Sequence, residues 1–387
     1  MKRIAPLIAM AAVALVVVCL LIVARQPQYW MERVRALAGG GGDVPLSFYQ
    51  PRERVPGGDR PPAPRVAPAL EMLSARSLQA AADYAASFDS NALIVTRHGH
   101  IVFERYWHGS DFNTLIDSQS FMRTLNAVLV GIAIESRKIG WPDEPLGYLI
   151  PQWSHDPRGA ITVRNLLQMS SGLAPSSAAL RPGTDLASDD LQRKLVGKPG
   201  STWAEEPADT QLLAMALERV THERYAEYLS DALWRRLGAA EAWVWLDHAG
   251  GTAHADCCLL ARQGDWVRLG ELLVSGGRFE GDEVVAPRWV AQMLVPAKGN
   301  SSYGEGVKLQ AGKSSEAFAA PGVFEVAGRG NRMWLVPSMA LVILRTGRTL
   351  AGNWDDSRIP NLIIRGARDY TAPAPRPGDL RSLVPNH

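Results

Sequence analysis

Cysteine is scarce in this sequence, and neither sign of charge is in excess. Three cysteines in 387 residues exclude a disulfide scaffold. The 41 Lys and Arg residues against 39 Asp and Glu leave a net charge of +2, so the basic field typical of nucleic-acid-binding proteins is missing. A phosphate-binding glycine loop between a strand and a helix is missing too. With 47% hydrophobic and 21% charged residues, the composition also excludes a disordered chain, a collagen-like fibre and a multi-span membrane protein.

One long apolar run is present, at the N-terminus. Residues 4–24 are apolar and follow Lys2 and Arg3. As a helix this run would be about 31 Å long, which matches a hydrocarbon core of about 30 Å. We therefore predict residues 1–25 to be a single transmembrane anchor in the inner membrane, with the folded domain in the periplasm or outside the cell. A cleaved signal sequence is the alternative.

Proline and glycine are concentrated in two further segments. Residues 26–68 contain a run of four glycines followed by Pro-Gly-Gly and Pro-Pro steps, a composition typical of linkers. Residues 371–387 form a proline-rich tail. The sequence therefore predicts one folded domain over residues 69–370.

The order of patterns within this domain predicts an α+β fold. Apolar, β-branched runs at 92–95 and 101–103 flank Arg97-His98-Gly99, which indicates a β-hairpin. A block of helical patterns follows, and strand patterns return between 304 and 344. We expect an antiparallel sheet flanked by helices, with an inserted helical region, in which the first and last strands share one sheet.

Several segments resemble one enzyme family. Residues 101–107, the helix after Ser120 with its Leu129-Val130-Gly131, and residues 161–173 are similar to serine β-lactamase-related hydrolases. That group includes penicillin-binding proteins, class C β-lactamases, carboxylesterases and aminohexanoate-oligomer hydrolases. The resemblance follows the family's order over about residues 90–347. It implies a β-lactamase/transpeptidase-like fold and a cleft for a small ester, an amide or a cell-wall peptide.

The family's chemistry uses three motifs. A Ser-x-x-Lys supplies the nucleophile and the lysine that deprotonates it, a Tyr-x-Asn or Tyr-x-Ser supplies a second proton carrier, and a Lys/His-x-Gly lines the oxyanion site. The resemblance places the nucleophile at Ser120 and the lysine position at Arg123. It places the tyrosine position at Glu205, and a shift of one residue would give Glu206 instead.

The third motif falls at Gly328-Arg329-Gly330, followed by Asn331. Its first residue has no side chain where the family has a cation, although Arg329 is next to it. The resemblance therefore implies that Gly328, Arg329, Gly330 and Asn331 bind the substrate or its oxyanion.

Two interpretations of Ser120, Arg123 and Glu205 stay open. A guanidinium remains protonated at accessible pH, so Arg123 cannot accept the serine proton. In the first interpretation the protein is catalytically impaired or inactive, and Arg123 and Glu205 form a buried ion pair in a cleft that only binds. In the second it is an active serine hydrolase with Glu205 as base and the N–H groups of Ser120 and Asn331 as oxyanion hole. A third alternative is a conventional enzyme whose motif residues lie at other positions of the sequence.

We expect neither a cofactor nor a metal. The set Asp247, His248, His254, Cys257 and Cys258 matches no established zinc spacing. Adjacent cysteines form a disulfide only with strain. The pair is therefore predicted to be two buried core residues.

Overall fold

A computed structural model describes residues 44–176, 185–310, 312, 314–348 and 352–369. The strands are β1 (Arg52–Val55), β2 (Ser90–Arg97), β3 (His100–Tyr106), β4 (Leu115–Asp117), β5 (Ala242–Trp245), β6 (Leu259–Arg262), β7 (Arg278–Phe279), β8 (Asp282–Glu283), β9 (Phe324–Ala327), β10 (Arg332–Val336) and β11 (Leu341–Gly347). The α-helices are α1 (Ala75–Ala86), α2 (Phe121–Glu135), α3 (Leu146–Leu149), α4 (Val163–Leu167), α5 (Leu186–Leu191), α6 (Pro207–Thr221), α7 (Tyr225–Leu229), α8 (Gln263–Val274), α9 (Pro287–Met293) and α10 (Arg358–Arg365).

The main sheet has five antiparallel strands in the order β3-β2-β11-β10-β9. The early strand β2 pairs with the last strand, β11, so the prediction that the two ends of the domain share one sheet is confirmed. The helical segments α2 to α7 lie between β4 and β5 in the chain, as the predicted insertion requires. Strand β9 is one of the two outer strands of this sheet and contacts α2.

Helices cover both faces of the main sheet. Along β11, Val342 and Leu344 belong to one apolar cluster, whereas Leu341 and Ile343 belong to another. This alternation follows from the two-residue period of a strand. Helices α2, α6 and α8 contribute to the first cluster, and α1 and α10 contribute to the second. Residues 341–344 of β11 are all apolar because neither face of the strand meets water there.

Helix α2 lies in the centre of the larger cluster. Twelve of its 15 residues are buried, which fits a helix that is apolar on nearly all sides. Its N-terminus reaches the boundary between the main sheet and a second sheet of order β1-β5-β6-β4. Ser120, the residue before α2, is therefore held at the edge of the core.

The second sheet includes part of the segment that we predict as a linker. Residues 52–55 lie within 26–68, yet they form β1 and pair with β5 over the full length of the strand. Phe48 and Tyr49, just before β1, are buried against Trp245. The part of this segment from residue 44 onwards therefore packs on the domain.

The prediction of a single-pass inner-membrane protein is corrected. No helix in the described part of the chain is long and apolar enough to span a membrane. The longest, α2 and α6, have 15 residues each, about 22 Å against a hydrocarbon core of about 30 Å. The predicted segment 4–24 lies outside the described residues.

Candidate active site

The turn between β4 and α2 positions Ser120. The Ser118 N–H donates to the Leu259 carbonyl at 2.9 Å, and the Ser118 Oγ accepts from the Leu259 N–H at 2.9 Å. Ser118 is therefore a fully buried link between the turn and β6. Ser120 occupies the N-cap position of α2, where its side chain caps no backbone group, and it faces a cavity.

This cavity has a volume of about 530 Å³, within the range typical of small-molecule sites. Ser120 shares its wall with Arg329, Asn331 and Asp256. Further apolar wall comes from the chain before β1 and from β4: Val44, Pro45, Leu46, Leu115 and Ile116. The hydroxyl of Tyr49, which also lines the cavity, donates to Asp117 Oδ2 at 2.8 Å.

The turn between β9 and β10 is fastened to the Ser120 turn. The Gly330 N–H donates to Gln119 Oε1 at 2.9 Å, and Asn331 Nδ2 donates to the Asp117 carbonyl at 3.0 Å. A Cβ on Gly330 would lie 2.2 Å from the Gly347 carbonyl oxygen, so only glycine fits there. The structure thus brings the predicted residues Gly328, Arg329, Gly330 and Asn331 to Ser120, and Arg329 and Asn331 open onto the same cavity.

Arg123 and Glu205 form an ion pair, with Arg123 Nη1 2.8 Å from Glu205 Oε1. Arg123 comes from the first turn of α2, and Glu205 comes from the segment before α6. The arginine side chain is 7% exposed, whereas the glutamate side chain is 50% exposed. The pair that we predict as buried is therefore buried on the arginine side only.

The pair weakens Glu205 as a base. Burial alone would raise the pKa of Glu205, but Arg123, with smaller contributions from Lys308 and Arg332, outweighs burial, and the pKa lies below its ordinary value. Burial opposes the charge of Arg123 as well, yet Tyr303, Glu205 and Asp256 together raise the pKa of that guanidinium. Arg123 thus stays a cation, and Glu205 stays its counter-ion.

Ser120 has no base in contact. Across the described ranges, no hydrogen bond involves the Ser120 hydroxyl, and Glu205 is engaged with Arg123 instead. A general base has to lie within hydrogen-bond reach of the proton that it removes, directly or through one water. The arrangement can bind and orient a ligand beside Ser120, and no described group is hydrogen-bonded to its hydroxyl.

Glu206, the other candidate for the tyrosine position, points elsewhere. Its carboxylate accepts the Ala208 N–H at 3.1 Å and so caps α6. It also accepts the Ser176 N–H at 2.9 Å and the Ser176 hydroxyl at 2.6 Å. The structure therefore places Glu205, and not Glu206, beside Arg123.

Two residues near Arg123 are absent from the predicted site. Asp256, in the loop before β6, is 8% exposed and lines the cavity. Tyr303 is buried against Trp203, and burial raises its pKa to about 12 although Arg123 opposes that rise. Tyr303 lies in Tyr303-Gly304-Glu305-Gly306, which resembles a strand that lines the cleft in the family, whereas nothing in the sequence marks Asp256.

A buried carboxyl behind the site gives a pH-dependent prediction. Asp209 accepts the Ser171 hydroxyl at 2.7 Å, and burial raises its pKa to about 7 although Ser171 and Arg193 oppose that rise. Between about pH 4 and pH 7 the folded protein keeps the Asp209 proton, whereas the unfolded chain has released it. The contribution of Asp209 to the free energy of unfolding is therefore complete at low pH and is lost as the pH rises to about 7. This loss makes the free energy of unfolding fall as the pH rises. We expect Asp209→Asn to make that fall less steep, by up to about 1.4 kcal/mol per pH unit.

Urea unfolding between about pH 4 and pH 7 measures this slope. The exposed Asp282→Asn is the matched control and is expected to leave the slope unchanged. Equal slopes for Asp209→Asn and the parent protein would contradict the prediction.

Comparisons with known proteins extend these observations. A family model described as Beta-lactamase matches residues 78–344. The chain is 25% identical over 286 residues to the 6-aminohexanoate-dimer hydrolase of Paenarthrobacter ureafaciens. The matched region covers 66% of this chain and 72% of that protein.

Solved structures show the same fold. A putative 6-aminohexanoate-dimer hydrolase from Bacillus anthracis superposes with a TM-score of 0.67 at 18% identity, over 79% of this chain and 88% of that one. A family VIII carboxylesterase gives a TM-score of 0.61 at 13% identity, over 76% and 98% of the two chains. The predicted β-lactamase/transpeptidase-like α+β domain is thereby confirmed.

Proposed function

The chain belongs to the β-lactamase family of serine hydrolases, and from this premise we propose that it is a catalytically impaired member whose cleft binds ligand without turning it over. The observation that carries the proposal is the ion pair at the position of the catalytic lysine. Arg123 occupies that position by the resemblance, and its Nη1 lies 2.8 Å from Glu205 Oε1. Arg123 cannot accept the Ser120 proton, and among the described residues none is hydrogen-bonded to the Ser120 hydroxyl.

The cleft itself supports a binding role. It keeps a volume suited to a small molecule and combines an apolar wall with Arg329 and Asn331 beside Ser120. The named relatives are a dimer hydrolase and a carboxylesterase. By extension, the ligand of this cleft is a small ester, an amide or a short cell-wall peptide.

Turnover measurements test the proposal. We expect an activated phenyl ester, a chromogenic β-lactam and the 6-aminohexanoate dimer to be hydrolysed no faster by the full chain than by Ser120→Ala. General-base loss costs about 10²- to 10⁴-fold in rate, so the serine-dependent part should vanish into the background.

A clear rate advantage of the parent protein over Ser120→Ala would overturn the proposal. If that advantage then disappeared in Glu205→Gln, the second interpretation, an active hydrolase with Glu205 as base, would replace it. If it survived in Glu205→Gln, another group would have to serve as the base.

A further inference from the structure

The wall of the Ser120 cavity contains a disulfide between adjacent residues, Cys257 and Cys258. This corrects the prediction of two unbonded core cysteines. Cys257 is half-buried and lines the cavity, whereas Cys258 is fully buried and has a φ of 71°. The local left-handed backbone accommodates the bonded pair just before β6. A reductant that enters the cavity would therefore reach Cys257 first.

Two further metal-ligating side chains lie beside Cys257. A ring nitrogen of His254, a carboxylate oxygen of Asp256 and the Sγ of Cys257 all lie within 4.8 Å of one another. His254 Nδ1 is 3.9 Å from Asp256 Oδ1. Tetrahedral zinc with bonds of about 2.0 to 2.3 Å separates its ligand atoms by about 3.3 to 3.8 Å. Side-chain adjustments of a few tenths of an ångström to about one ångström would complete such a geometry.

Buried amides hold the loop that carries these ligands. Gln211 donates through Nε2 to the Ala253 carbonyl at 2.9 Å and accepts the Ala255 N–H at 2.9 Å. Asn126, on α2, donates to the Ala255 carbonyl at 2.8 Å. The backbone on both sides of His254 is therefore fixed. A fixed loop lowers the ordering cost of binding an ion.

Charge balance also favours a divalent cation. A Cys257 thiolate and the Asp256 carboxylate together neutralise one divalent ion, with His254 as a neutral ligand. Asp256 is also one of the groups that stabilise the Arg123 cation. A neutral metal centre would not repel that guanidinium as a bare cation would.

We propose that the Cys257–Cys258 disulfide gates a zinc-type site in the wall of the cavity. A dithiol reductant supplies two electrons and two protons, the S–S bond breaks to give two thiols, and the dithiol leaves as its own disulfide. Zn²⁺ then binds His254, Asp256 and Cys257, and the Cys257 thiol proton is released. Two of these ligands, Asp256 and Cys257, line the cavity that contains Ser120. Exchange with a disulfide oxidant, which takes up two electrons and leaves as a dithiol, restores the Cys257–Cys258 bond; the thiolate ligand is then lost and Zn²⁺ is released.

Cobalt binding tests this proposal on the full chain with Cys19→Ser, which removes the third cysteine. We expect no free thiol before reduction with a phosphine and two afterwards. The reduced protein should then bind one Co²⁺ with a thiolate-to-cobalt absorption band, and Zn²⁺ should abolish that band. The oxidised protein should show no band.

Two cysteine variants form a matched pair. Cys258→Ser cannot form the disulfide, so it should bind Co²⁺ without any reductant. Cys257→Ser should show no band under either condition. Asp256→Asn in the reduced protein should weaken Co²⁺ binding by more than about 10-fold, since it removes a direct ligand.

Several outcomes would overturn the proposal. These are two free thiols before reduction, a thiolate band in Cys257→Ser, or no Co²⁺ binding by Cys258→Ser that retains the circular dichroism of the parent protein. If Cys258→Ser does not fold, the reduced parent protein and Asp256→Asn decide the question. None of these results depends on whether Ser120 is active.

Discussion

Arg123→Lys combined with Glu205→Tyr is expected to raise the rate of Ser120 acylation by about 10²- to 10⁴-fold, the usual contribution of general-base catalysis. Burial lowers the pKa of a lysine, so a buried lysine can lose its proton and act as a base, whereas an arginine stays protonated. The native pair holds Arg123 Nη1 2.8 Å from Glu205 Oε1, so both positions have to change together. Stopped-flow acylation by an activated ester measures the effect.

Two controls separate the possible causes. Arg123→Lys with Glu205→Gln supplies the lysine without the phenol and should gain less than the double exchange. Adding Ser120→Ala to the double exchange should remove the whole gain. A double variant that acylates no faster than the parent protein would show that the ion pair is not what disarms Ser120.

Arg345→Met is expected to lower the free energy of unfolding by about 2 to 5 kcal/mol, because several buried acceptors lose their donor. Arg345 is fully buried on β11. Its guanidinium donates to the carbonyls of Phe88 and Gly330, and its Nε donates to Ser90 Oγ at 2.7 Å. The bond to Gly330 fastens the turn that lies against Ser120.

Urea denaturation measures this loss, and Arg348→Met is the matched control. The Arg348 side chain is 72% exposed, so its exchange should change the free energy of unfolding by less than about 0.5 kcal/mol. Similar free energies for the two variants would contradict the assigned role of Arg345.

The sequence was sufficient to locate the parts of the candidate site that lie at fixed spacings. Ser120 and Arg123 are three residues apart at the start of one helix, so a motif identifies both without any tertiary information. The position of Glu205 is identified by its spacing along the sequence from the apolar pattern of α6. Their pairing was open to inference because, by the resemblance, an arginine and a glutamate stand where the family has a lysine and a tyrosine that act together.

Other features depend on contacts that no local pattern reveals. Strand β1 lies in a stretch rich in proline and glycine, and only its pairing with β5 makes it a strand. Asp256 and Tyr303 reach Arg123 from loops far away in the chain. The Cys257–Cys258 bond lies where the backbone at Cys258 is left-handed. No local sequence pattern predicts that backbone conformation.

Covalent labelling of Ser120 tests the central claim most directly. The full chain and Ser120→Ala are incubated with a fluorophosphonate for hours, and peptide mass spectrometry then searches for the adduct. If Arg123 and Glu205 leave the hydroxyl without a base, the parent protein stays unlabelled at Ser120 while its circular dichroism shows it to be folded. A stoichiometric adduct on Ser120 that is absent from Ser120→Ala would contradict the account and establish an activated serine.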